Sequence, residues 1–191
     1  MDEAPVAGPV PVLLVTGVVG VGKTAVTGEA SSLLREASIP HAVLDLAVIG
    51  GCWPPPPGDR WNEDLIHRNL ACMWANFQRA GAGRLLLCRV LEARSLLTRI
   101  SAAVPGAEIT VVRLRAPLET VRSRIRAREA GRDPRWYLDV AEYLAPRLDD
   151  AHVEDHTVGN HDRPVTETAA EVLRVAGWLP GAGVILPISS G

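Results

Sequence analysis

At 191 residues the chain can bury one good core, so a single domain over 1–191 is the default. A hydrophobic share of 47% fits a globular protein, and its short apolar runs argue against a membrane partner. A formal net charge of -2 supplies no bulk attraction for nucleic acid.

The start, Met1-Asp2-Glu3-Ala4-Pro5, has no basic stretch leading into an apolar signal segment, and Cys52, Cys72 and Cys88 have no metal-ligand spacing. Both features lead us to expect ordinary thiols in a reducing, cytoplasmic setting. The first predicted element is a buried strand, Val10-Pro11-Val12-Leu13-Leu14-Val15-Thr16, apolar from Val12 to Val15. Next comes Gly17-Val18-Val19-Gly20-Val21-Gly22-Lys23-Thr24, and the run to Ala37 has helical character. This is a Walker A sequence in its proper setting of strand, glycine-rich turn and helix. Gly17, Gly20 and Gly22 let the backbone curl around an anion, and the amides of Val21, Gly22 and Ala25 fall in the nest at the helix start. Lys23 is placed to reach the β- and γ-phosphates of ATP, and the Thr24 hydroxyl to hold Mg²⁺.

Ser38-Ile39-Pro40 breaks the first helix, and His41 to Leu46 reads as a second strand carrying Asp45 near its end. In a parallel sheet that end lies on the same edge as the phosphate loop, where a carboxylate meets Mg²⁺ or an acceptor hydroxyl. Residues 49–60 hold four consecutive prolines and cannot be regular structure. They are expected to rim an acceptor pocket, with Trp53 and Trp61 as walls and Asp59 and Arg60 at hand. A helix is predicted from Asn62 to about Gln78, with Leu65, Leu70, Met73, Trp74 and Phe77 on its apolar face. Leu85 to Cys88 reads as a third strand with Arg89 just past its carboxyl end, Glu92 to Ile100 as helix, and Glu108 to Leu114 as a fourth strand.

Pro117 opens a helix bearing Arg122, Arg124, Arg126 and Arg128. Arg124 and Arg128, four apart, share a face, and like charges on adjacent turns are costly unless an anion lies against them. A further helix is predicted from Trp136 to about Leu148, a weak strand from Ala151 to Val158, a turn at Gly159 to Pro164 and a last helix from Val165 to Ala176. Leu186 to Gly191 is read as a cover or a loose end. Strands alternating with helices predict a parallel α/β sheet with helices on both faces.

With these motifs in place, residues 10–178 resemble the small P-loop kinases, the family of adenylate, shikimate, gluconate and adenylylsulfate kinases and antibiotic-modifying phosphotransferases. The resemblance implies a P-loop NTPase fold with a five-stranded sheet in the order 2-3-1-4-5, an acceptor-binding region at about 46–80 and a short lid at about 128–136. It gives Arg124 a place on adenine, Arg128 a contact with phosphates and Arg132 the part of a lid arginine. It makes the turn with Asn160 and Arg163 the adenine-contacting one.

Several members carry aspartate, any residue, then a second aspartate after strand two; here the letters are Asp45-Leu46-Ala47. Alanine can neither take a proton nor hold a hydroxyl. Asp45 serves both roles through Mg²⁺, or another acid such as Asp59 or Asp64 approaches, or Ala47 stands in for a catalytic acid. The expected activity is transfer of the γ-phosphoryl group of ATP to a hydroxyl of a small, uncharged metabolite or antibiotic. A nucleoside monophosphate kinase and a non-catalytic ATP-binding regulator are the alternatives.

Overall fold

The computed structural model describes residues 8–179; the readings made on the first residues and on Leu186 to Gly191 lie outside them. Five strands alternate with six helices: β1 Val10–Thr16, α1 Lys23–Glu36, β2 Ala42–Asp45, α2 Glu63–Arg79, β3 Leu85–Cys88, α3 Ser95–Ala103, β4 Ala107–Arg115, α4 Leu118–Arg128, α5 Arg135–Ala151, β5 His156–Gly159 and α6 Val165–Val175. The strands form one parallel sheet in the order β2-β3-β1-β4-β5. This is the order the resemblance implies.

The continuous apolar letters of β1 follow from cover on both faces, because a doubly covered strand has no solvent side to alternate toward. Leu13 and Val15 pack with Val26 and Leu34 of α1, Ile125 of α4, Leu144 of α5 and Val172 of α6. Val12 and Leu14 pack on the opposite face with Ile66, Leu70 and Trp74 of α2 and Ile100 of α3. Truncating a fully buried leucine here, such as Leu14, is expected to cost about 2–5 kcal/mol. Among the described residues no helix is long and apolar enough to cross a membrane.

Some boundaries differ from expectation. The third helix begins at Ser95 rather than Glu92 because the chain after β3 stays extended along β1. Arg89 N–H donates to the Val15 carbonyl (3.1 Å) and Leu91 N–H to Thr16 Oγ1 (2.9 Å). The fifth strand begins at His156 because α5 continues to Ala151. A buried arginine of β4, Arg113, donates to the Leu148 carbonyl (2.6 Å) and to Asp149 (2.8 Å), securing the end of that helix. The second strand is shorter than read and spans Ala42–Asp45.

Candidate active site

The phosphate loop, residues 17–22, joins the carboxyl end of β1 to α1 and keeps its curl through close packing. Gly22 lies at φ +104°, in the left-handed region, and a Cβ there would meet Asn160 Nδ2 at 2.5 Å. Gly20 lies at φ +82°, and a Cβ there would meet Ile125 of α4 at 2.6 Å. These glycines therefore serve backbone conformation and close approach together.

Lys23 Nζ folds back over the loop and donates to the carbonyls of Gly17 and Val18, both at 3.0 Å. Burial pushes its ammonium down to about 8, opposed by Cys88 and Asp45 and assisted by the positive charge of Arg128. Cys88, at the end of β3, is held as a thiol, pushed up to about 12 by burial and by Asp45. Thr24 Oγ1 donates to Asp45 Oδ2 at 3.0 Å, while the Ala47 amide donates to Asp45 Oδ1 at 3.0 Å. A hydroxyl and a carboxylate side by side at the start of α1 are hard oxygen donors, and this pair fits Mg²⁺ held jointly with nucleotide phosphates.

These groups open onto one cavity of ≈ 570 Å³. Val19, Gly20, Gly22, Lys23, Thr24 and Ala25 floor it, Arg124 and Arg128 flank one side, and Asp45, Ala47, Arg89 and Val90 the other. Arg124 Nη1 donates to the Val21 carbonyl (3.1 Å), and Asn160 Nδ2 donates to the same oxygen (2.8 Å). Arg128 rests with its guanidinium 4.5 Å from the centre of the Tyr137 ring and its Nε on Glu129 (2.8 Å). Arg163 donates to Thr168 Oγ1 (3.0 Å) and Glu171 (2.6 Å). Arg132 is exposed in the turn between α4 and α5 and does not line the cavity.

The acceptor-side residues separate. Ala47 and Arg89 line the cavity, whereas Trp53 (90% exposed) and Trp61 (68% exposed) stand on the outside of the proline loop and do not wall it. Arg60 lies over the Trp61 ring at 5.1 Å. Asp59 is occupied at the start of α2, accepting from the amides of Glu63 (2.5 Å) and Asp64 (2.9 Å). Asp64 is paired with Arg99 (2.6 Å). Neither acid lines the cavity.

A residue that sequence reasoning missed is Glu63, whose carboxylate pairs with Arg89. The two are 26 positions apart and carry no shared motif, so only the fold brings them together. His67 is buried one turn along from Glu63, with Nδ1 on the Glu63 carbonyl (2.6 Å). His41 is structural: its ring bridges Ser31 Oγ and the Ile39 carbonyl, both at 2.8 Å.

No family model and no curated protein matches the sequence. Solved structures do match the fold. The tunicamycin resistance protein of Deinococcus radiodurans aligns with a TM-score of 0.60 at 18% identity, over 89% of this chain and 97% of that one. A sugar kinase from a Janibacter species aligns with a TM-score of 0.58 at 19% identity, over 90% and 97%. A gluconokinase from Sinorhizobium meliloti aligns with a TM-score of 0.55 at 19% identity, over 90% and 93%. At this identity the likeness establishes the fold: the chain has the architecture of a P-loop kinase.

Proposed function

We propose that the chain is an ATP-dependent phosphotransferase that moves the γ-phosphoryl group to a hydroxyl of a small, uncharged metabolite or antibiotic. The observation that carries this reading is the convergence of Lys23, Thr24 and Asp45 on a single cavity, with the arginines of α4 on one side and Ala47 with Arg89 on the other.

The chain's own groups supply what phosphoryl transfer needs, which is alignment and neutralisation of charge on the transferring oxygens. Lys23 would leave the carbonyls of Gly17 and Val18 for the phosphates. Arg128 would turn from Tyr137 and Glu129 toward the cavity, and Arg132 would approach as the lid closes and excludes water. Thr24 and Asp45 would hold Mg²⁺, which when bound neutralises phosphate charge. In the transfer, the acceptor oxygen bonds to the γ-phosphorus, and the bond from that phosphorus to the bridging oxygen breaks. ADP departs with the electron pair, and the hydroxyl proton goes to Asp45 or to an oxygen of the transferred group. A loose transition state asks little of a base, so alanine at 47 is compatible with turnover.

The acceptor half favours a neutral alcohol. Arg89 is already neutralised by Glu63, and Arg60 lies over Trp61 outside the cavity, so among the described residues no free cationic cluster awaits a nucleoside monophosphate there. The test is a Mg·ATP titration followed by a screen of neutral alcohols, sugars, antibiotics and nucleoside monophosphates for phosphorylated product. Product from a neutral acceptor is expected. Preference for nucleoside monophosphates replaces the acceptor class. Tight ATP binding without transfer to any member supports a non-catalytic regulator, a reading that Ala47 favours.

A further inference from the structure

A carbonyl in a phosphate loop repels the anion, whereas the N–H across the same peptide attracts it. In a trans peptide the two point in opposite directions, so fixing the carbonyl aims the amide. Among the described residues the only cis peptide is Trp53-Pro54, so the Val21–Gly22 peptide is trans. Its carbonyl accepts from Asn160 Nδ2 at 2.8 Å and from Arg124 Nη1 at 3.1 Å. The Gly22 N–H of that peptide must face away from both donors, and Gly22 lines the cavity.

Asn160 itself is built to hold one orientation. It is 5% exposed and does not line the cavity. Its Oδ1 accepts from the hydroxyl of Thr168, at 3.1 Å, a residue with no exposed surface. Thr168 Oγ1 accepts in turn from Arg163 Nε, and Arg163 is paired with Glu171. A hydroxyl has one proton, so with Arg163 donating to it that proton goes to Oδ1, which leaves Nδ2 facing Val21. The chain of bonds runs from α6, through the turn after β5, to the phosphate loop, and Arg124 meets it from α4.

We propose that Asn160 is a positioning residue for the phosphate site: it holds the Val21 carbonyl outward and thereby presents the Gly22 amide to nucleotide phosphates, instead of touching the purine. This rests on the nucleotide-binding reading above. Arg163 and Thr168 act through Asn160 by fixing its amide.

The test compares wild-type protein with Asn160→Asp, which keeps the size and the acceptor for Thr168 but turns an oxygen toward the Val21 carbonyl. Binding of Mg·ATP, Mg·pyrophosphate and adenosine is measured by titration and ligand-observed NMR, and the Gly22 amide is followed in a ¹⁵N spectrum. Affinity for Mg·ATP and Mg·pyrophosphate should fall together by about tenfold or more, the loss of one buried donor plus a new repulsion. Adenosine binding should stay unchanged, and the Gly22 signal should shift less on addition of pyrophosphate. Unchanged pyrophosphate binding, or a loss confined to ligands bearing the base, overturns the proposal. Thr168→Val serves as the second variant: it frees the Asn160 amide to flip and should weaken pyrophosphate binding in the same direction, to a smaller extent. Should Asn160→Asp not fold, as judged by circular dichroism, Thr168→Val decides alone. Wild-type protein that binds neither Mg·ATP nor pyrophosphate removes the nucleotide-site reading itself. Wild-type binding with unaffected variants removes only this proposal.

Discussion

The phosphate side of the cavity and the loop after β2 differ in how firmly the rest of the protein holds their side chains. On the phosphate side nearly every polar group is engaged: Lys23 on two loop carbonyls, Thr24 on Asp45, Arg124 and Asn160 on Val21. The loop after β2, whose tryptophans stand outside the cavity, carries Val48, Trp53 and Trp61 at 74%, 90% and 68% exposure. The contrast teaches a division of labour. The backbone of the phosphate loop is fixed in advance by Arg124 and Asn160, so its amides need little reorganisation to meet an anion, whereas the side chains of the loop after β2 stand largely in solvent.

The sharpest way to break the comparison is Lys23→Ala. Removing the one ammonium on the phosphate side should lower transfer by roughly 10²- to 10³-fold, with circular dichroism showing the sheet retained. Unaltered turnover would take the lysine out of the mechanism. Next is Ala47→Asp on the acceptor side. If the site lacks only a base, turnover with its acceptor should rise by up to about 10²-fold in steady-state kinetics; no increase, with the new carboxylate beside the hydroxyl in a crystal structure, assigns the proton elsewhere.

A smaller effect comes from pH. The ligand-free Lys23 titrates at about 8, and phosphate requires it charged. Mg·ATP should therefore bind with proton uptake above that pH, and affinity at pH 9 should be about tenfold weaker than well below pH 8. Calorimetry in buffers of different ionisation heat reads this directly, and Lys23→Met should flatten the dependence. The same lowering means that folding costs the lysine its charge preference: its destabilising contribution is present below about pH 8 and is relieved as pH rises from there toward 10.5. Least of all, Trp53→Ala should change unfolding free energy by no more than about 0.5 kcal/mol, since the ring is almost entirely in solvent. A larger loss in a denaturant titration would show that the loop tip is bound into the core.

Legibility followed the same division. The phosphate loop could be read because its functional groups are contiguous and the strand before it is apolar for seven positions, Val10–Thr16, apart from Pro11 and Thr16. The element boundaries that shifted did so through contacts across the fold, such as Arg113 on the end of α5 and Thr16 on Leu91. The pair Glu63 with Arg89, and Asn160 against Val21 at 139 positions' separation, have no local pattern that could announce them. Asp59 misled for a related reason: an acid near a pocket and an acid at the start of a helix look alike in sequence, and the backbone amides of α2 claimed it.

The proline loop is tied down at its base rather than along its length. Asn62 Nδ2 donates to the carbonyls of Gly50 (2.8 Å) and Cys52 (3.1 Å), and Asn69 to that of Ile49 (2.7 Å). Asp59 adds a further tie where it meets the amides that start α2, and residues 53–58 carry none of these ties. Sequence change therefore has a stretch in which to work, while the phosphate loop, held from α4 and from the turn after β5, keeps its shape.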